Sequence, residues 1–370
     1  MVSESEGHVG RLITPAVSVI VPARNEEASL GACLKSLVSQ RGVDYEIIVV
    51  DDGSADRTRQ IAQSFAGVRV IDAAALPPGA TGKCNALACG ANEARGQWLL
   101  FTDADTVHLP GSLAASLREA QEQQAALLSY SPQQEVHGFW EKAVMPVVFA
   151  ELTRTYRTED VNDPASPAAA ANGQYLLIAR EAYDTVGGHA VIRSLLEDVE
   201  LARAVKRSGR RIRFRYGGDR VRARMYRNVA QLREGWTKNL ALLFDSPLRL
   251  AILRGAEFVV IAGGAVVTVT AAVRSQPAIA AVAGAVAATT YAMFLRRIRR
   301  AHFAWDANLL ALLGLPVFVL LLRASALSHK QGSVTWKGRI YGAAINSATA
   351  GESSRFPADA RSCDAAPGRI

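Results

Sequence analysis

The sequence predicts an α/β protein with a mainly parallel sheet flanked by helices, followed by interfacial helices and an apolar C-terminal helical region. Three observations carry that expectation. Short β-branched runs alternate with helically spaced segments through the first hundred residues. Polar, turn-forming residues follow each run. The apolar excess is gathered late in the chain rather than spread evenly.

In chain order, Val17–Val21 reads as a strand and Glu26–Ser39 as a helix, with Leu30, Leu34 and Leu37 on one face. Tyr45–Val50 is a second strand and Asp56–Phe65 a second helix. Val68–Ile71, a helix over Lys83–Ala94 and the strand Trp98–Phe101 complete the alternation. Strands alternating with helices imply βαβ units. Ligands of such sheets bind outside the carboxyl ends of the strands. The residues after Val21, Val50, Ile71 and Phe101 are therefore the places to inspect. They hold Pro22-Ala23-Arg24-Asn25-Glu26, Asp51-Asp52-Gly53-Ser54, a loop ending in Gly82-Lys83, and Asp103-Ala104-Asp105. Each has a structural reading on its own: caps for Asn25 and Asp52, a turn for Gly53, a solvated end for Lys83.

The aspartate pair is the sharpest case. Alternate residues of an extended chain point to the same side, so Asp103 and Asp105 present two carboxylates to one point. Like charges that close repel unless a cation intervenes. Oxygen ligands at this spacing suit Mg²⁺ or Mn²⁺. The alternative is a helix cap or Asx turn before a helix led by Pro110.

The chain has 370 residues and a net charge of +8, with 49% hydrophobic residues. Three stretches, 255–273, 275–295 and 303–322, have membrane length, although Glu257 and Asp306 interrupt the first and third. Between residues 201 and 254, fifteen Lys/Arg stand against three acids. Such a block beside an apolar stretch favours the cytoplasmic leaflet and anionic head groups. Nucleic acid is not expected as a partner, since no nucleic-acid motif accompanies the charge. The four cysteines show no pairing or metal spacing, and the polar start shows no signal peptide. A cytoplasmic catalytic part in a multi-pass inner-membrane protein is the expectation.

VSVIVPARNEE, EIIVVDDGSADRT, GKCNALACGANEARG, LLFTDADT and, downstream, Leu196-Glu197-Asp198-Val199-Glu200-Leu201 occur in one order. Together they resemble the family-two glycosyltransferases, which have the Rossmann-like GT-A fold. The resemblance spans about residues 15–245. The apolar hairpin and Val334-Thr335-Trp336-Lys337-Gly338-Arg339-Ile340-Tyr341 look like the members that glycosylate lipids, including hopanoid-associated and carotenoid glycosyltransferases. The organisation expected is an extension over 1–14, a catalytic domain over 15–225 and a basic interface segment over 226–254. Two or three membrane segments over 255–325 follow, then a C-terminal segment with a disordered tail over 326–370.

The resemblance implies that Pro22, Arg24, Asn25 and Glu26 line a nucleotide pocket, that Asp52 accepts hydrogen bonds from the base, and that Lys83 approaches the diphosphate. It places Asp103 by the ribose or sugar and shares a divalent metal, Mg²⁺ or Mn²⁺, between Asp105 and Asp103. Asp198 is the implied catalytic base, against the plainer reading of a carboxylate at a helix start. Glu197, Asn172, Gly173 and Trp236 fall on the acceptor side or rim. A single base with direct displacement implies inversion at the anomeric carbon.

Val229, Leu232, Trp236, Leu240 and Leu243 share a helical face opposite Arg233 and Lys238. That pattern reads as a helix lying in the membrane interface, and residues 137–156 are a second candidate. Gln231-Leu232-Arg233-Glu234-Gly235-Trp236 departs from the Q/RxxRW signature of many membrane members. The function expected is transfer of a sugar from a nucleotide diphosphate, with UDP-sugar as the expected donor, to a lipid-like acceptor. The alternatives are a processive polysaccharide synthase and a non-catalytic nucleotide-sugar-binding scaffold. Arg296–Arg300, Lys337 and Arg339 favour the inside, so two spans fit better than three.

Overall fold

The computed structural model describes residues 15–342; the expected N-terminal extension and the tail beyond Gly342 lie outside the described residues. The first half contains β1 (Val17–Ala23), α1 (Leu30–Val38), β2 (Tyr45–Asp51), α2 (Thr58–Gln63), β3 (Val68–Asp72), α3 (Gly82–Glu93) and β4 (Trp98–Phe101). Then come β5 (Thr106–His108), α4 (Ser112–Glu122), β6 (Leu127–Ser131), β7 (Gln133–Gln134), α5 (Phe139–Thr155), α6 (Thr158–Asn162) and β8 (Leu176–Ala179). The chain continues through α7 (Arg180–Thr185), α8 (Glu197–Arg207), β9 (Ile212–Tyr216), β10 (Val221–Ala223) and α9 (Val229–Leu243). It closes with α10 (Pro247–Val273), α11 (Pro277–Ile298), α12 (Trp305–Gln331), β11 (Val334–Trp336) and β12 (Arg339–Tyr341).

Seven strands form one sheet in the order β3-β2-β1-β4-β8-β6-β9. The pairs β2–β3, β1–β2, β1–β4 and β6–β9 are parallel, and β8 runs antiparallel between β4 and β6. The expected α/β sheet is therefore present, with one reversed strand. Alternation along β1 decides the two cores. Val17, Val19 and Val21 face Leu30, Leu34 and Leu37 of α1, whereas Ile20 faces Cys84 and Leu87 of α3. A small sheet of β5, β10 and β7 lies beside the first.

Several predicted boundaries move, each for a local reason. Helix α1 begins at Leu30 rather than Glu26. Asn25 sits in the left-handed region with φ of 53°, and the Glu26 amide is spent on Thr58 Oγ1 at 2.7 Å. The helix expected from Pro110 begins at Ser112, because Gly111 takes φ of 74° before it. The largest departure concerns the aspartate pair. Beyond Phe101 the chain turns rather than staying extended, with the Thr106 amide and hydroxyl both donating to the Asp103 carbonyl. The two carboxylates are brought together by that turn and not by strand alternation.

The two segments expected to lie in the membrane interface are helices, but their apolar faces meet protein. On α9, Leu232, Trp236 and Leu240 are buried. On α5, Val144, Met145, Val147 and Val148 are buried as well. Both pack with α12 into a helical core that includes Phe294, Ala307, Ala311, Leu315 and Phe318. An apolar stripe at helical spacing fixes which face is buried and leaves open what buries it.

Three helices, Pro247–Val273, Pro277–Ala301 and Trp305–Gln331, are long and apolar enough to cross a membrane. The first two form a hairpin whose outer surface carries Ile252, Val259, Val266, Val273, Val282 and Met293. The acid expected to weaken the first is neutralised: Glu257 binds Arg297 at 2.6 Å and Arg254 at 3.0 Å, and both arginines reach the fully buried Glu151 of α5. A charge removed from water needs such partners.

Helix α12 crosses α5 at a point that only glycine allows. A Cβ on Gly314 falls 1.9 Å from the Ala143 carbonyl oxygen, whereas one on Gly255 meets Val319 at an ordinary 3.9 Å. Gly314→Val is expected to destabilise the protein by roughly 1–3 kcal/mol through overpacking, and Gly255→Ala to be near neutral. Thermal unfolding of the detergent-solubilised variants checks this; matching midpoints for both would contradict the close crossing.

Candidate active site

The loops at the carboxyl ends of β1, β2 and β4, the start of α3, the turn before β8 and the start of α8 converge on one cavity of about 790 Å³. Every residue given a donor, metal, base or rim role from the sequence lines it. At one end, the loop after β1 is stitched to the loop after β2. Arg24 Nη1 donates to the Asp52 carbonyl at 2.5 Å, and Asn25 Oδ1 accepts from the Ala55 amide at 2.9 Å. Pro22 closes this strand end, pairing across to Val50.

At the centre, Lys83 Nζ lies 2.8 Å from Asp103 Oδ1 and 2.7 Å from Glu197 Oε1. Asp198 sits beside this pair at the first turn of α8. Its Oδ2 accepts from the Gly173 amide and its Oδ1 from the Val199 amide, both at 2.8 Å. Gly173 packs closely here: a Cβ there would stand 3.0 Å from Lys83 Nζ and 3.4 Å from Glu197 Oε1. Asn172 holds the turn, its Oδ1 accepting from the Gln174 amide at 2.9 Å. The lysine expected to meet a diphosphate is thus occupied by two carboxylates.

The electrostatics follow from crowding acids into a buried space. Burial first, then the Glu197 charge, pushes the Asp198 carboxyl up to about 6; Lys83 and the two amides oppose the rise. Burial, then Asp103 and Glu26, pushes Asp105 up to about 8. Burial disfavours charge on Lys83, but Asp103 and Glu197 hold its ammonium well above the usual lysine range. Burial likewise opposes Glu197, and Lys83 overrides it, holding that carboxyl below its ordinary value.

The residues present fit a divalent cation shared with a substrate. Among the described residues, no three His, Cys, Asp or Glu side chains gather into a metal cage. Asp103 and Asp105 supply two oxygen donors, with the Asp103 charge close enough to disfavour ionisation of Asp105, a repulsion that a cation would relieve. Mg²⁺ is commonly held by one or two carboxylates plus substrate phosphates.

The second strand pair, β11–β12, is the feature that sequence reasoning did not place in the site. Arg339 forks onto Asp52, with Nη2 to Oδ1 at 3.0 Å. Lys337 binds the Glu26 carboxylate and donates to the Arg24 carbonyl at 2.9 Å. Both acids assigned to the nucleotide end therefore have cationic partners on this hairpin. Lys238 of α9 also lines the cavity, with its ammonium 4.5 Å above the Trp336 ring. The segment containing Lys337 and Arg339 stood out in the sequence, but its position over Asp52 did not. Trp236, expected at the acceptor rim, borders the cavity from within the helical core, against Phe149 and Tyr226.

Residues 18–187 match the model of Glycosyl transferase family 2. A 4,4'-diaponeurosporenoate glycosyltransferase of Staphylococcus aureus (strain USA300) is 31% identical over 233 residues, covering 61% of each protein. The chain thus spans about 61% of the length of the curated relatives it matches. Among solved structures, a mannosyltransferase from Pyrobaculum calidifontis in complex with GDP-Man and Mn²⁺ aligns with TM-score 0.47 at 19% identity, over 86% of this chain and 87% of that one. Glucosyl-3-phosphoglycerate synthase from Mycobacterium tuberculosis aligns with TM-score 0.42 at 23% identity, over 62% and 77%. The stretch that matches the Glycosyl transferase family 2 model, residues 18–187, is the one whose sheet-edge motifs fold into the cavity, and over that stretch the chain is similar to this family.

Proposed function

We propose that this chain is a membrane-anchored, metal-dependent inverting glycosyltransferase, moving one sugar from a nucleotide diphosphate donor to a lipid-like acceptor. The observation that carries the reading is one cavity in which the end lined by Arg24, Asn25 and Asp52, an aspartate pair and a buried carboxylate of raised pKa meet Phe149 and Leu152 of α5 and Trp236 and Leu243 of α9. The family match and the relative's name support sugar transfer to an apolar, lipid-like compound.

In this reading Asp103 and Asp105 hold Mg²⁺ or Mn²⁺ against the donor phosphates. When bound, the ion supplies Lewis-acid stabilisation of the leaving diphosphate. Asp198 takes the proton of an acceptor hydroxyl as its oxygen attacks the anomeric carbon. A base must be ionised to accept that proton, and a carboxyl near 6 is ionised at neutral pH yet more basic than a free one. The Gly173 and Val199 amides fix the direction of its lone pairs.

Membrane attachment is read as two crossings, α10 and α11. Both ends of α12 are tied to the domain that holds the site. Asp306 binds Lys142 of α5 at 2.6 Å, and His329 Nε2 meets the Lys238 carbonyl at 2.7 Å. The strand pair after α12 reaches the cavity itself. Trp305, Leu309, Leu313, Leu320 and Leu327 form one exposed apolar stripe along α12. That stripe suits a helix lying along the bilayer surface, the role expected of α9 and α5.

Four experiments test these assignments. Incubating membranes with labelled sugar nucleotides should yield a singly glycosylated lipid by mass spectrometry, and polymer instead would overturn single transfer. Asp198→Asn should lower kcat by roughly 10²–10⁴ while donor binding persists. The wild-type rate should rise with pH through about 6, because only the carboxylate accepts a proton; full activity in Asp198→Asn removes it as base. Mn²⁺ binding to metal-free protein at pH 7 should release protons, since Asp105, held near 8, is mostly protonated before the ion arrives. Calorimetry in buffers of different ionisation enthalpy reads this, and Asp105→Asn should abolish the release. In a Cys363→Ser background, cysteines placed at Ser275 and Gly342 should react from opposite sides of the membrane. Labelling from one side refutes the two-span arrangement.

A further inference from the structure

Lys238 lines the cavity and, among the described residues, has no carboxylate partner. Lys83 is already paired with Asp103 and Glu197. Lys238 makes no ion pair within 4.0 Å among the described residues, and its ammonium rests instead over the Trp336 ring at 4.5 Å. It still feels this centre. Burial lowers its pKa, and Glu197, Asp103 and Asp198 act against that fall while Lys83 adds to it. A lysine held over an aromatic face, beside a group of acids but bonded to none, keeps its three donors free for an incoming anion.

We infer that Lys238, and not Lys83, is the fixed cation that receives the departing nucleoside diphosphate. The inference rests on the glycosyl-donor reading above and adds a residue to it. As the acceptor oxygen bonds to the anomeric carbon, the bond from that carbon to the β-phosphate oxygen breaks. The electron pair stays on that oxygen, and the acceptor's proton goes to Asp198. Lys238 gives up no proton; it donates hydrogen bonds to the β-phosphate as negative charge gathers there. Lys83 is then a positioning residue that keeps Asp103 and Glu197 in place beside the base.

The two roles separate by nucleotide binding in the absence of turnover. Calorimetry on the full chain in detergent with Mn²⁺ compares UDP with UMP, and GDP with GMP. Wild-type protein is expected to prefer the diphosphate of one pair. Lys238→Gln should reduce that preference roughly tenfold or more, as expected for the loss of one charge-assisted contact. Lys238→Arg should keep it within about threefold, which also guards against misfolding in the Gln variant. A merely structural lysine would not move the ratio of diphosphate to monophosphate affinity. An unchanged preference in Lys238→Gln, with a raised KM for the lipid acceptor, overturns the assignment in favour of an acceptor anion. Wild-type protein that binds neither diphosphate overturns the donor reading and this inference with it.

Discussion

One ion pair system organises the site. Lys83, at the first turn of α3, holds Asp103 beyond β4 and Glu197 at the start of α8 within 2.8 Å. Three elements from distant parts of the chain are thereby pinned to one point. The arrangement leaves acids in excess, and their neighbours register it: Asp198 is pushed up to about 6 and Asp105 to about 8. Folding alone does not neutralise this corner. The cationic side chains around the cavity offset part of it, and in the proposed function a divalent ion would complete the balance.

The strands were readable because buried parallel strands are short, continuous apolar runs, and β1, β2 and β4 have little else. The motif residues were readable because sheet-edge loops are where such folds keep their chemistry. The spacing of Asp103 and Asp105 was informative although the backbone assumed for it was not; a turn serves the same convergence. What stayed hidden were pairings across long separations. Arg339 and Asp52 are 287 residues apart, and no local pattern connects them. Lys238 was hidden differently, as a charge on the polar face of α9, where most lysines meet only water.

The interface helices show the limit of periodicity in another form. Helices α5 and α9 carry the stripe that membrane-surface helices carry, and both bury it against α12. Helix α12 has the length and hydropathy of a span, yet contacts at Asp306, Ser325 and His329 tie it along the domain. Its own outward face is an exposed apolar stripe, which the proposed function turns toward lipid. The cavity thus opens between a sheet edge and helices of membrane character, which is where a polar donor and an apolar acceptor can meet.

The four charges at the foot of the apolar hairpin bear on how the protein is made. Within the hairpin, Arg254 and Arg297 outnumber Glu257 by one positive charge. The balancing acid, Glu151, belongs to α5 and leaves the ribosome about a hundred residues earlier. This charge network is therefore completed only once α5 has packed against the hairpin, so the preceding domain supplies what the apolar helices leave unbalanced.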